Sequence, residues 1–240
     1  MMKKLILTVL LGLSAAIRAH AEPVTFVTEE YPPFSYREDR VIKGTSVEQI
    51  EKLMAAAGIE YKIEMLPWAR AYTLAQSEPM TCVFSTAHTA KRDPLFKWVE
   101  PLLTDRNILI AKTGSGVAPK DMEDAKRYTI GTQREDYSDT VLREKGFPKI
   151  DVASDFNATF RKLMNGRIDM MPISQLYFQR LKSEQPVEKV LELTSQPMGI
   201  ACQKEFPEDL LTRMQAALDA LIADGTQKAI FAKYKLDGGN

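Results

Sequence analysis

The chain predicts an α/β fold of mainly parallel strands divided between two lobes. Three observations carry that reading: β-prone runs alternate with segments of helical period, the alternation forms two βαβαβ units, and an extended segment, Asn107–Lys112, joins them. In the first unit Val24–Thr28 is a strand. Thr45 or Ser46 can cap the following helix, whose Val47, Ile50, Leu53 and Met54 fall on one face and which Gly58 ends. Tyr61–Met65 is the second strand, Trp68–Gln76 the second helix and Thr81–Ser85 the third strand.

The second unit runs through strand Tyr128–Thr132, helix Ser138–Lys145, strand Lys149–Val152, helix Phe156–Asn165 and strand Asp169–Ile173. Beyond it, Leu210, Leu211, Met214, Ala217, Leu218 and Leu221 recur at helical spacing within Pro207–Asp224. Gly225 then separates this helix from a last one through Tyr234. No low-complexity tract interrupts the pattern.

The first 21 residues read as a secretory signal: Lys3 and Lys4, an apolar run from Leu5 to Ile17, then the small-x-small site Ala19-His20-Ala21, with cleavage before Glu22. The run is shorter than the roughly 20 apolar residues of a membrane span. No Cys stands directly after the cleavage point, which argues against a lipid anchor, and no later segment is long and apolar enough to span. Without Lys3, Lys4 and Arg18, 29 basic residues face 32 acidic ones, a formal charge of −3. Nucleic acid therefore has no electrostatic reason to bind. The 219 residues that remain can form one large or two small domains. Cys82 and Cys202 are the only cysteines. An oxidising compartment permits a bond between them, and two buried thiols in separate strands are the other reading.

The stretch FSTAHTAKRDPLFKWVEP at 84–101 ends a strand in small hydroxylated residues and places Arg92 beside them. Hydroxyls of Ser85, Thr86 and Thr89, backbone N–H groups and a guanidinium fork suit capture of one carboxylate. Together with TEEYPPFSY at 28–36, PWARAY at 67–72 and NGRIDMMPIS at 165–174, the chain resembles the bacterial extracellular solute-binding proteins of family 3. These are periplasmic amino-acid receptors of ABC transporters. The likeness spans almost the whole mature chain and rests on the order and spacing of four segments.

The resemblance implies the two-lobed periplasmic binding protein fold of type II, with residues 22–105 plus 196–240 as one lobe, 106–195 as the other and the ligand cleft between them. It puts both cysteines in the first lobe. It implies that Tyr31 and Trp68 cover the ligand's carbon skeleton, that Arg92 holds its carboxylate, and that Ser85 and Thr86 assist. Tyr137, Ser138 and Ser174 would complete the site from the second lobe. Arg70, within PWARA, marks a less characterised branch and faces either the cleft or a salt bridge.

The departures from the family pattern bear on the ligand. Characterised receptors carry an Asp five residues after the G-R-x-D Asp to bind the ligand's α-ammonium group, and here that position is Ser174, while Asp169 matches the other, structural Asp. Thr28 stands at the first-loop acidic position, followed by Glu29 and Glu30, either of which can supply the missing charge. Glu135-Asp136 replaces the usual Gly-Ser pair at the second lobe's ligand helix, where Asp136 and Ser138 can still cap. A standard α-amino acid held by the usual two-ended clamp is therefore not expected: either Glu29 or Glu30 replaces the charge, or the ligand carries a carboxylate with no adjacent ammonium.

The implied role is a monomeric periplasmic receptor that closes over a small carboxylate-bearing solute and presents it to a membrane ABC permease, without cofactor or metal. His88 is the only histidine after the signal, which excludes a catalytic His pair or a multi-His metal site. There is no G-x-S-x-G elbow, phosphate loop or dinucleotide fingerprint. Two alternatives remain: a dehydratase-like enzyme on the same scaffold, using Glu29, Glu30 or Asp136 as acid or base, and a sensing receptor without transport.

Overall fold

A computed structural model describes residues 22–236, so the expected signal sequence lies outside the described residues. The elements follow one another as strand β1 (Val24–Thr28), the hairpin β2 (Tyr36–Glu38) and β3 (Val41–Lys43), helix α1 (Thr45–Ala57), strand β4 (Tyr61–Met65), helix α2 (Trp68–Ser77) and strand β5 (Thr81–Ala87). A 3-10 turn, Asp93–Leu95, leads into the long strand β6 (Phe96–Lys112). Then come α3 (Met122–Ala125), β7 (Ile130–Gln133), α4 (Tyr137–Glu144), β8 (Ile150–Ala153), α5 (Phe156–Met164), β9 (Met171–Ser174) and α6 (Gln175–Leu181). A second long strand, β10 (Val187–Gln203), and helices α7 (Glu208–Ala223) and α8 (Thr226–Lys233) finish the chain.

The central sheet has the order β4-β1-β5-β10-β6-β9. As the βαβαβ pattern predicts, β1 pairs in parallel with β4 and β5, and β7 with β8. The third strand of the second unit, β9, departs from that pattern and pairs antiparallel with β6, and the two long strands depart from it as well. They run antiparallel to each other along their whole length, and β10 also pairs antiparallel with β5. The expected joining segment Asn107–Lys112 is the second half of β6, and its counterpart in β10 makes a two-stranded crossing.

One core lies beneath β1, α1, β5 and α7, where Phe26, Ile50, Phe84, Met214 and Leu218 are buried. At the other end of the crossing strands, Leu109 and Ala111 pack with Ile130 and Leu142, whereas Ile108 and Ile110 pack with Phe156 and Ile173. Successive residues of β6 thus feed opposite faces, and both faces are covered. Cys82 and Cys202 are register partners on β5 and β10 and form a disulfide, which decides between the two readings of these residues.

Most helix ends fall within a residue or two of expectation, but the start of α1 differs in its cap. Neither Thr45 nor Ser46 caps it. Gly44 stands there at φ 137°, where a Cβ would come within 2.2 Å of the Phe34 carbonyl oxygen. The first helical N–H groups are instead taken by the Pro33 and Phe34 carbonyls, at 2.9 and 3.0 Å. With those donors already satisfied by backbone, a capping hydroxyl has nothing to do. The C-terminus is as predicted, with Gly58 in the left-handed conformation. Among the described residues no helix is long and apolar enough to cross a membrane.

Candidate functional site

A cavity opens at the carboxyl ends of β1 and β5, the position at which open α/β sheets usually receive ligands. Glu29, Tyr31, Trp68, Ser85 and Arg92 line it from this side, and Asp105, Asn107, Asp136 and Tyr137 from the other. Its free volume is about 50 Å³. That is well below the roughly 300 Å³ of a small-molecule site.

Arg92 sits where the short turn after β5 folds the chain back, and Thr89 Oγ1 accepts its backbone N–H at 3.3 Å. Its side chain is 5% exposed. The guanidinium lies 4.8 Å from the Tyr72 ring centroid, 5.4 Å from Trp68 and 6.0 Å from Tyr137. An aromatic cage of this kind stabilises a cation removed from water. One arm donates to the Glu135 carbonyl oxygen at 2.6 Å, the other to that of Ala87 at 3.4 Å. Trp68 Nε1 donates to the same Glu135 carbonyl at 2.8 Å. Glu135 itself has φ 62°, a left-handed backbone that turns this carbonyl toward both donors.

Two further contacts cross the cavity. Gln133 Nε2 donates to both carboxylate oxygens of Glu29, each at 3.1 Å. The backbone N–H of Ser174 donates to the Tyr31 hydroxyl oxygen at 2.9 Å, while the Tyr31 ring meets Tyr177 edge-on at 4.8 Å and Phe156 at 5.3 Å.

The site is rich in carboxyl groups. Burial, with Asp136 adding its charge, pushes the Glu29 carboxyl up to about 8. Burial likewise raises Asp105 to about 7, against the opposing effect of the Ser174 hydroxyl, which donates to Asp105 Oδ1 at 2.6 Å. Asp136 is held at the start of α4, accepting from the Ser138 N–H at 2.7 Å, the cap expected of it.

Of the residues singled out from the sequence, Glu29, Tyr31, Trp68, Ser85, Arg92 and Tyr137 line the cavity. Glu30 and Arg70 are exposed and do not. The Thr86 hydroxyl is turned into the sheet and donates to the Val83 carbonyl, and Ser138 Oγ shares a 2.6 Å hydrogen bond with Thr132 Oγ1. Ser174 is buried behind the cavity and acts on Asp105 and Tyr31, as a support for its wall. Asp169 accepts from the Thr129 N–H at 2.7 Å, consistent with a structural role. His88, stacked on Trp98 at 4.1 Å, bridges Asp93 and Glu100. Asp105 and Asn107 escaped the sequence reading. The signal was present as alternation, since Leu103, Asp105 and Asn107 are successive same-face residues of β6 and all three line the cavity.

These strand ends, crossing strands and contacts across a cleft define a two-lobed binding protein. Residues 24–237 match the bacterial extracellular solute-binding proteins, family 3, and the chain belongs to that family. Three similar solved structures share the fold. The arginine-, lysine-, histidine-binding protein ArtJ from Geobacillus stearothermophilus is 21% identical over 88% of this chain and 94% of that one, with a TM-score of 0.79. The substrate-binding protein of an amino acid ABC transporter is 18% identical over 88% and 98%, at 0.77. The ancestral amino-acid-binding protein AncCDT-1, a precursor of cyclohexadienyl dehydratase, is 22% identical over 88% and 94%, at 0.73. No curated protein matches the chain.

Proposed function

We propose that this protein is a periplasmic receptor that captures a small carboxylate-bearing solute by closing two lobes over it and delivers it to an ABC permease. The lobes are residues 22–105 with 196–240, and 106–195; the receptor acts as a monomer, exported by a cleaved signal. The observation that carries the reading is the Glu135 carbonyl, gripped at once by Arg92 and Trp68 from across the cavity. Such contacts exist only with the walls together, so a solute touching both walls adds its own binding energy to the closed state and shifts the equilibrium toward it. Arg92 offers the solute's carboxylate the guanidinium N–H groups that the Ala87 and Glu135 carbonyls leave over, and the Tyr31 and Trp68 rings cover its carbon skeleton.

A thermal-shift screen of amino acids, dicarboxylates and polyamines tests this. A true ligand at a hundred times its dissociation constant stabilises the fold by about 2.7 kcal/mol. The raised Glu29 and Asp105 carboxyls support a second reading, a dehydratase-like enzyme that holds a protonated acid at neutral pH. Incubating each stabilising solute with the protein separates the two: the receptor returns it unchanged, and the enzyme does not.

A further inference from the structure

We propose that the cavity selects a solute of net positive charge, with Asp105 as the fixed acceptor of its cationic group and Glu29 as a second acceptor that closure brings up. This rests on the receptor reading and adds the ligand's charge to it. Three carboxyl groups, Glu29, Asp105 and Asp136, line the cavity against one guanidinium, that of Arg92. Asp105 projects from the interior of β6 and is 3% exposed, and Ser174 Oγ holds it in place at 2.6 Å. Two residues on, Asn107 lines the same wall, is 5% exposed, and its Oδ1 has no hydrogen-bond partner. A buried acceptor without a donor costs free energy, and an ammonium or guanidinium N–H relieves that cost where a carboxylate adds to it.

Ser174 thus occupies the place from which an acid was expected to bind ammonium, and its hydroxyl supports a carboxylate supplied by a neighbouring strand. A zwitterion bearing one carboxylate for Arg92 and one ammonium leaves an excess of acceptors on the cavity wall, among them Asp105 and the Asn107 Oδ1, without a donor from the solute. One further cationic group on the solute reduces it.

The groups facing these acids fix how binding responds to pH. Around Asp105 stand Ser174 of β9, Tyr31 of the first loop, and Asp136 and Tyr137 at α4. Around Glu29 stand Gln133, Asp136, Asp155, Arg92, Tyr31 and Tyr177 of α6. Arg92 is the one cation in this set. Both carboxyls are held partly protonated near neutral pH, so a cationic solute displaces protons as it binds.

The test is calorimetry of the full mature chain with matched pairs: L-arginine against its neutral isostere L-citrulline, and L-lysine against L-norleucine, with L-glutamate, agmatine and putrescine alongside. The cationic member of each pair should bind at least about 30-fold more tightly, the discrimination expected of a desolvated charge pair. Asp105→Asn should remove most of that difference, with arginine losing at least about tenfold more affinity than citrulline. If Asp105→Asn does not fold, wild-type protein still decides. Affinity for the cation should rise from about pH 6 to about pH 9, by at most about tenfold per pH unit for each proton released, while citrulline shows no such rise. Equal affinity for arginine and citrulline, or tightest binding of glutamate, overturns the proposal and leaves the receptor reading standing. Tightest binding of putrescine supports it and overturns the carboxylate role of Arg92. Binding of nothing in the panel overturns both.

Discussion

The two walls of the cavity acquire their chemistry differently. The wall at the ends of β1 and β5 and the start of α2 draws on short contiguous stretches: Glu29 and Tyr31, Trp68, Ser85 and Arg92. The facing wall takes Asp105 and Asn107 from the interior of a long strand, and Asp136 and Tyr137 from a helix start. A strand end frees the chain from its ladder, so neighbouring residues can turn together toward a ligand. Inside a strand only alternate residues can, and their partners are set by register. The first wall therefore holds the cage and its cation. The second holds acids whose positions depend on groups far away in sequence, such as Ser174 for Asp105.

Breaking the first wall should have the largest effect. Arg92→Ala removes both a cavity cation and one of the two donors to Glu135, so solute affinity measured by calorimetry should fall by about 2–5 kcal/mol. Unchanged affinity would mean that the cage is only a structural rivet.

Replacing Cys82 and Cys202 together by Ala acts on the core beneath that wall. Opening a loop of 120 residues should lower unfolding stability by about 2–5 kcal/mol in a denaturant titration. Affinity should hardly change, because neither sulfur lines the cavity. A collapse of binding at constant stability would show that β5 and β10 position the site more than they hold the fold.

The acids give the walls a shared pH response. Glu29 is raised from 4.5 to about 8 and Asp105 from 3.8 to about 7, so between those values the native protein keeps protons that the unfolded chain has lost. Stability of the protein without solute should therefore fall as pH rises from about 5 to about 8. His88, faced by Asp93 and Glu100, is also raised despite burial, and its contribution is lost in the same direction as pH rises through its folded value. Thermal denaturation of Glu29→Gln with Asp105→Asn should show a flatter profile than wild type. An equally steep profile would remove the two acids from the account.

Ser174→Ala should cost about 1–3 kcal/mol of affinity for a cationic solute, because Asp105 loses a donor that favours its ionised form. The Asp105 titration, followed by carboxyl NMR, should move upward. The smallest effect belongs to Glu30→Gln, which should leave affinity within about 0.5 kcal/mol since Glu30 is exposed, whereas Glu29→Gln should weaken it. Equal losses from both would mean that the first loop rearranges on binding.

Local pattern alone determined the secondary structure of both βαβαβ units and the first wall. Val24–Thr28 and Tyr61–Met65 fall where β-prone runs placed them, and the face of Val47, Ile50, Leu53 and Met54 is buried beneath a helix that ends at Gly58. These features depend on side-chain period and on backbone preferences a few residues apart. Arg92 and Trp68 were legible for the same reason, since each sits beside a strand end or helix start visible in its own segment.

Only the tertiary structure decided what depends on register between distant segments. It paired Cys82 with Cys202, gave the cap of α1 to the Pro33 and Phe34 carbonyls, and turned Thr86 and Ser138 away from the cavity. It also put Asp105 into the cavity against the hydroxyl of Ser174, 69 residues along the chain. A shift of one residue in β6 would send Asp105 to the opposite face of the sheet, because side chains alternate along a strand. Which face is correct follows from pairing with β10 and β9, a property of the folded sheet that no segment carries by itself.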